Sequence, residues 1–191
     1  MITESVATQA PALLIAVPLL GAFLSPIIGR ISKSVRAVWV LAVMALTALI
    51  GYFVAYLVYT EGTILYVFGA ASSALAVPAD SGGIPIRIIF TIDAMSALMV
   101  VIAVTVGLAV ILYSLSSDSR RSGLEAFYTI FLLMIAAVLG MVSTGDLFNF
   151  FVFLEISSLA SAGLVAYKVE RGLAVEAGLK YLLVSTIGGI F

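Results

Sequence analysis

The chain has 191 residues, of which 63% are apolar and only 10% charged, and its mean hydropathy is +1.27. A globular chain carries roughly 45–50% apolar and about 25% charged residues, so this surplus cannot be covered by water-facing side chains and calls for a lipid bilayer as solvent. With no His, no Cys and a net charge of −1 from nine cations and ten anions, the sequence excludes several functions. It lacks the usual ligands of haem, iron–sulfur clusters and structural zinc, a Ser-His or Cys-His nucleophile, a disulfide, and a basic patch for nucleic acid.

A spanning helix takes about 20 residues, and 63% of 191 is roughly 120, so up to about six spans fit. Charges divide the chain into that many apolar segments. The first runs from about Pro11 to Ile28, ahead of Arg30, and the second from about Val38 to Tyr59, ahead of Glu61. Glu4 stands alone before the first segment where a signal peptide would carry cations, so this segment is expected to be retained. Pro11 suits a first helical turn, whereas Pro18 and Pro26 would kink a helix, which membrane helices tolerate.

Residues 60–92 form one long extramembrane stretch. The turn signal Asp80-Ser81-Gly82-Gly83 precedes the β-branched run Ile86-Arg87-Ile88-Ile89-Phe90-Thr91-Ile92, a pattern that predicts a β-hairpin on the outer surface. The third segment runs from Asp93 to about Leu115, the fourth from about Ala126 to Val142, and the fifth from Asp146 to about Tyr167. A sixth starts near Leu173 and is still apolar at Phe191. The expected fold is therefore an all-α integral membrane protein of about six transmembrane helices with a hairpin-like outer loop. Three parts follow: residues 1–92, with two helices and the outer loop; residues 93–142, with helices three and four; and residues 143–191, with helices five and six.

Seven of the nine cations, Arg30, Lys33, Arg36, Arg120, Arg121, Lys168 and Arg171, fall in the connections after segments one, three and five, against Arg87 alone on the other side. The positive-inside rule then places those loops in the cytoplasm and the N-terminus outside the plasma membrane.

A charge at the centre of a span costs about 2.5–3.5 kcal/mol on insertion scales, so such residues mark pathways or paired sites. Two stand out. Glu155 follows Asp146 by nine residues, about 13 Å into segment five at 1.5 Å per residue, and Ser158 and Ala162 lie on its face at helical spacing. A protonated Glu could also serve as an interhelical hydrogen-bond anchor, although Gln or Ser would do so at lower cost. Lys180 lies nine residues beyond Arg171 and thus about as deep from the opposite side, so the two could face each other. Alternatively, Glu176 holds Lys180 as an i, i+4 pair while its stem snorkels toward the headgroups. Asp93 and Asp146 stand where helices begin and are read as N-caps, with the outer mouth of an ion route as the alternative. Trp39 and the many Phe and Tyr residues are read as packing or lipid-facing groups.

The run Gly145-Asp146-Leu147-Phe148-Asn149-Phe150-Phe151-Val152-Phe153-Leu154-Glu155 is followed one helix later by Leu179-Lys180-Tyr181-Leu182-Leu183, and preceded by Phe90-Thr91-Ile92-Asp93-Ala94-Met95-Ser96-Ala97-Leu98-Met99. Together they resemble the N-terminal part of the antiporter-like family. That family comprises the large subunits of Mrp-type sodium/proton antiporters, the proton-pumping membrane subunits of respiratory complex I, and relatives in membrane-bound energy-converting hydrogenases. The resemblance implies that Glu155 is the fifth-helix glutamate that tunes the proton affinity of nearby lysines, and that Lys180 is a sixth-helix lysine present in some members. It implies an incomplete version of a fourteen-helix fold, either a portion of a longer product or a split subunit that relies on a partner for the rest. It implies other membrane subunits as partners and protons, sodium or both as the ions moved; the composition, without His or Cys, leaves no cofactor or metal expected in this chain. The rival expectation is a non-conducting scaffold that docks partner subunits. An intramembrane two-aspartate protease is disfavoured because Asp93 and Asp146 lie at helix starts.

Overall fold

Six helices and two short strands follow the charge-bounded segments in the computed structural model, which describes residues 2–30, 32–67, 88–117 and 123–190. The helices are α1 (Ile2–Gly29), α2 (Lys33–Glu61), α3 (Ala94–Ser117), α4 (Leu124–Ser143), α5 (Leu147–Ala166) and α6 (Gly172–Ile190); strands β1 (Ile64–Val67) and β2 (Ile89–Ile92) lie between α2 and α3.

Pro11 is not at a first turn, because α1 begins nine residues earlier and carries Pro11, Pro18 and Pro26 inside it. The stretch from Thr3 to Ala10 holds no Gly or Pro to halt a helix. At the start of α2 the Ser32 hydroxyl accepts from the Val35 amide at 3.2 Å, and at its end Gly62, at φ +88°, donates its amide to the Val58 carbonyl. A positive φ at a helix end is glycine's position.

Five helical stretches are long and apolar enough to cross a membrane: Gln9–Gly29, Lys33–Glu61, Ala94–Ser116, Leu124–Ser143 and Leu147–Ala166. The chain is a multi-pass membrane protein. The sixth segment forms α6, which is not among these five within the described residues. Its 19 residues carry Glu176 and Lys180 together with Ser185, Thr186 and glycines, which lower its hydropathy.

The helices pack in a chain of neighbours: α1 against α2 and α4, α2 against α3, α4 against α5, and α5 against α6. The buried centre is built from Leu14 of α1, Val40 and Met44 of α2, Val104 of α3, and Leu132 and Leu139 of α4. The Trp39 indole donates to the Gly21 carbonyl at 3.3 Å and joins α2 to α1 as a packing group.

At one end of the bundle β1 and β2 pair antiparallel, with Ile64 opposite Ile92 and Val67 opposite Ile89. The expected hairpin is thus a two-stranded sheet whose second strand is the end of the β-branched run; the Asp80–Gly83 turn signal lies outside the described residues. The Tyr66 hydroxyl donates to Gln9 Oε1 at 2.8 Å and ties the sheet to α1. On its other side the Gly145 amide donates to the Ile89 carbonyl at 2.9 Å, and Phe90 bridges to Thr144. A side chain on Gly145 would collide with Thr91, so the α4–α5 turn can approach the strand this closely only with glycine there. The opposite end of the bundle carries Arg30, Lys33, Arg36, Lys168 and Arg171.

Candidate functional site: the seam between the fifth and sixth helices

The turn before α5 is held by its own polar side chains. Asp146 Oδ1 accepts from the Phe148 amide at 3.1 Å, and Asn149 Nδ2 donates to Thr144 Oγ1 at 3.1 Å. Asp93 occupies the same position on α3, its Oδ1 accepting from the Ser96 amide at 2.8 Å. That bond, followed by one to the Ser96 side chain, holds the Asp93 carboxyl below the ordinary carboxylate value. Both aspartates therefore cap helices at the sheet end of the bundle.

Eight residues into α5, about 12 Å from its start, Glu155 is half-buried and faces α6, where its Oε1 lies 3.1 Å from the point a Gly189 Cβ would occupy. Among the described residues its carboxylate has no hydrogen-bond or ion-pair partner. One turn along, Ser185 of α6 donates to Ser158 of α5 at an Oγ–Oγ distance of 2.8 Å. Further toward the α5–α6 connection, Gly178 sits so close to α5 that an added Cβ would lie 2.7 Å from the Ala166 Cβ and 3.0 Å from the Ala162 carbonyl oxygen. Small residues at such a contact let helix backbones approach and so fix their register.

That register separates the two charges that equal depth from opposite ends would bring together. With Ser158 opposite Ser185, Lys180 is level with Gly163, eight residues or about 12 Å along the axis from Glu155. The expected contact between Glu155 and Lys180 is therefore absent: the Gly178 contact slides α6 beyond the end of α5, and depth counted from helix ends does not carry across the seam. Lys180 Nζ instead pairs with Glu176 Oε1 at 2.6 Å, one turn back on α6, with side chains 72% and 58% exposed. Lys180 also lines an open groove along α6 with Ala177, Tyr181, Val184 and Ser185.

A second ion pair has no signal in the sequence. Arg36 of α2, its side chain 8% exposed, donates to Glu125 of α4 at 2.9 Å, with the Glu125 side chain 56% exposed. The partners are 89 positions apart, so no local spacing announces them. Ser185 also escapes sequence reasoning, since a hydroxyl in an apolar helix has no signature until its partner helix is known.

Two family descriptions match separate parts of the chain: "NADH-Ubiquinone oxidoreductase (complex I), chain 5 N-terminus" over residues 79–116, and "NADH:quinone oxidoreductase/Mrp antiporter, TM" over residues 144–191. The N subunit of the NADH-quinone oxidoreductase of Desulforudis audaxviator is 40% identical over 109 residues, covering 56% of this chain and 21% of the relative. The A-type member of the Na(+)/H(+) antiporter of Alkalihalophilus pseudofirmus is 29% identical over 175 residues, covering 90% of this chain and 20% of the relative. Among solved structures, a chain of the membrane-bound sulfane sulfur reductase, an archaeal respiratory membrane complex, superposes with a TM-score of 0.80 at 31% identity, covering 95% of this chain and 35% of that one. The chain thus spans about a fifth of the length of these curated relatives.

Proposed function

Because the chain belongs to the antiporter-like membrane subunit family, we propose that it forms the membrane part of a complex that moves protons, or sodium in exchange for protons. Glu155 is the proton-carrying group and Lys180 the cation that works with it. The observation that carries this reading is the Glu155 carboxylate: mid-helix, half-buried, and without a partner among the described residues. A carboxylate in such a place must be protonated or meet a counter-charge, since leaving it ionised and alone is costly. A group with two accessible protonation states at mid-depth can pass a proton on.

Lys180 complements it. Its ammonium, held by Glu176 at 2.6 Å, lines the groove that leads along α6 to the seam. The bundle end that bears Arg30, Lys33, Arg36, Lys168 and Arg171 faces the cytoplasm of a plasma membrane and the sheet end faces outward, with the N-terminus outside. A redox-driven complex of this kind keeps its electron carriers in other subunits, since this chain offers neither His nor Cys.

Changing Glu155 to Gln in the intact assembly tests the reading. The expected result is loss of proton or sodium flux in reconstituted vesicles while the complex still assembles; full transport by the variant would refute it. The separation of Glu155 from Lys180 favours one other reading, a non-conducting scaffold, for which E155Q and K180A alter assembly and leave flux per assembled complex intact.

A further inference from the structure

Glu155 and Lys180 lie about 12 Å apart along the seam, yet the space between them is not purely apolar. Ser158 is one turn from Glu155 on α5, where residues at i and i+3 are neighbours. Ser185 donates to Ser158 at 2.8 Å, and Ser185 and Lys180 line the same groove of about 600 Å³ on α6. Of the side-chain hydrogen bonds among the described residues, this one alone joins α5 to α6. It is not needed to hold the helices together: the Gly178 contact with Ala162 and Ala166 already does so, and an interhelical hydroxyl bond contributes little to membrane helix association.

We propose that Ser158 and Ser185 form a hydroxyl bridge that carries a proton from Lys180 to Glu155; this rests on the roles given above to those two charges. In the transfer, the Lys180 ammonium gives a proton to a water molecule in the groove, and that water protonates Ser185 Oγ. Ser185 passes the proton it already donates to Ser158 Oγ, and Ser158 gives its own hydroxyl proton to the Glu155 carboxylate once that unpartnered side chain turns to accept from it. The bridge regains its starting composition when both hydroxyls rotate back. The net change is a neutral Lys180 and a neutral Glu155, with Glu176 left as the one charge among the three groups, so the half-buried carboxylate of α5 no longer stands ionised and alone.

The test is proton flux through the intact complex in liposomes for S158A/S185A, S185A alone and S158T/S185T, with E155Q and K180A alongside. Removing both hydroxyls together leaves no unpaired donor and is close to neutral for packing. The bridge predicts at least a tenfold loss of flux in S158A/S185A and in S185A, with assembly and thermal stability unchanged, and flux restored by S158T/S185T. Wild-type flux in S158A/S185A, while E155Q and K180A each abolish transport, would overturn the bridge and leave the roles of the charges standing. Wild-type flux in E155Q would bring down those roles and the bridge together. If the double variant fails to assemble, S185A, which leaves α5 unaltered, decides by the same criterion.

Discussion

Engineered cysteines can measure the α5–α6 register directly, because the native chain has none. A disulfide needs Cα atoms about 4.4–6.8 Å apart. Ser158 and Ser185 bring their side-chain tips to 2.8 Å, so S158C/S185C should cross-link in native membranes with a mild oxidant. Glu155 and Lys180 do not meet the Cα requirement: their axial offset alone is about 12 Å, nearly twice the limit. E155C/K180C should therefore remain reduced under the same conditions. The read-out is mobility on a non-reducing gel after cleavage at a protease site inserted in the Tyr167–Arg171 connection, so that only a cross-linked pair migrates at full length. Adding G178L to S158C/S185C should sharply reduce cross-linking, since even the first side-chain atom would press on Ala166 and on the Ala162 carbonyl. Cross-linking of E155C/K180C at the rate of S158C/S185C would refute the register and everything derived from it.

The Arg36–Glu125 pair predicts an asymmetry. Glu125→Ala strands a guanidinium that is 8% exposed, and the roughly 3–5 kcal/mol for breaking a fully buried pair shrinks to about 2 kcal/mol because Glu125 is more than half in solvent. Arg36→Met keeps the buried stem and leaves a carboxylate that water can solvate, at a cost of about 1 kcal/mol or less; thermal unfolding followed by the fluorescence of Trp39, the sole tryptophan, ranks the two variants, and equal or reversed losses would contradict the asymmetry. For Asp93, folding lowers the carboxyl below its ordinary 3.8 through the Ser96 bonds. Its stabilising contribution is fully present above that value and is lost as pH falls through the lower folded value. Asp93→Asn keeps a capping oxygen without a titrating group, so the acid side of its unfolding profile should be flatter than that of the native chain, and superimposable profiles would contradict the cap.

The helix limits can be read from the sequence because charges and turn residues bound each apolar run, and an ionised group resists the hydrocarbon layer wherever it falls. The ends of α3 to α5 lie within two residues of the expected ones, whereas α2 starts five residues before Val38. The start of α1 is less legible, because Pro11 suits a first turn while nothing before it interrupts a helix. Strand β2 announces itself in its β-branched residues. Its partner β1, Ile64–Val67, holds strand-forming residues too, but four residues are too short a run to announce a strand before its pairing is known.

Read without its structure, the chain is already a set of membrane helices with known cation-bearing ends, and Glu155 and Lys180 are already the charges placed deep within apolar runs. Composition and spacing suffice for this because the cost of charge in lipid is incurred residue by residue. What those charges meet is a matter of tertiary packing. The absence of a Cβ at Gly178, the hydroxyl contact across the seam and the burial of Arg36 against Glu125 depend on which surfaces fit together. That fit joins residues distant in the chain, and it places Glu155 one turn from the Ser158–Ser185 contact and more than two turns away from the lysine that depth alone would have set opposite it.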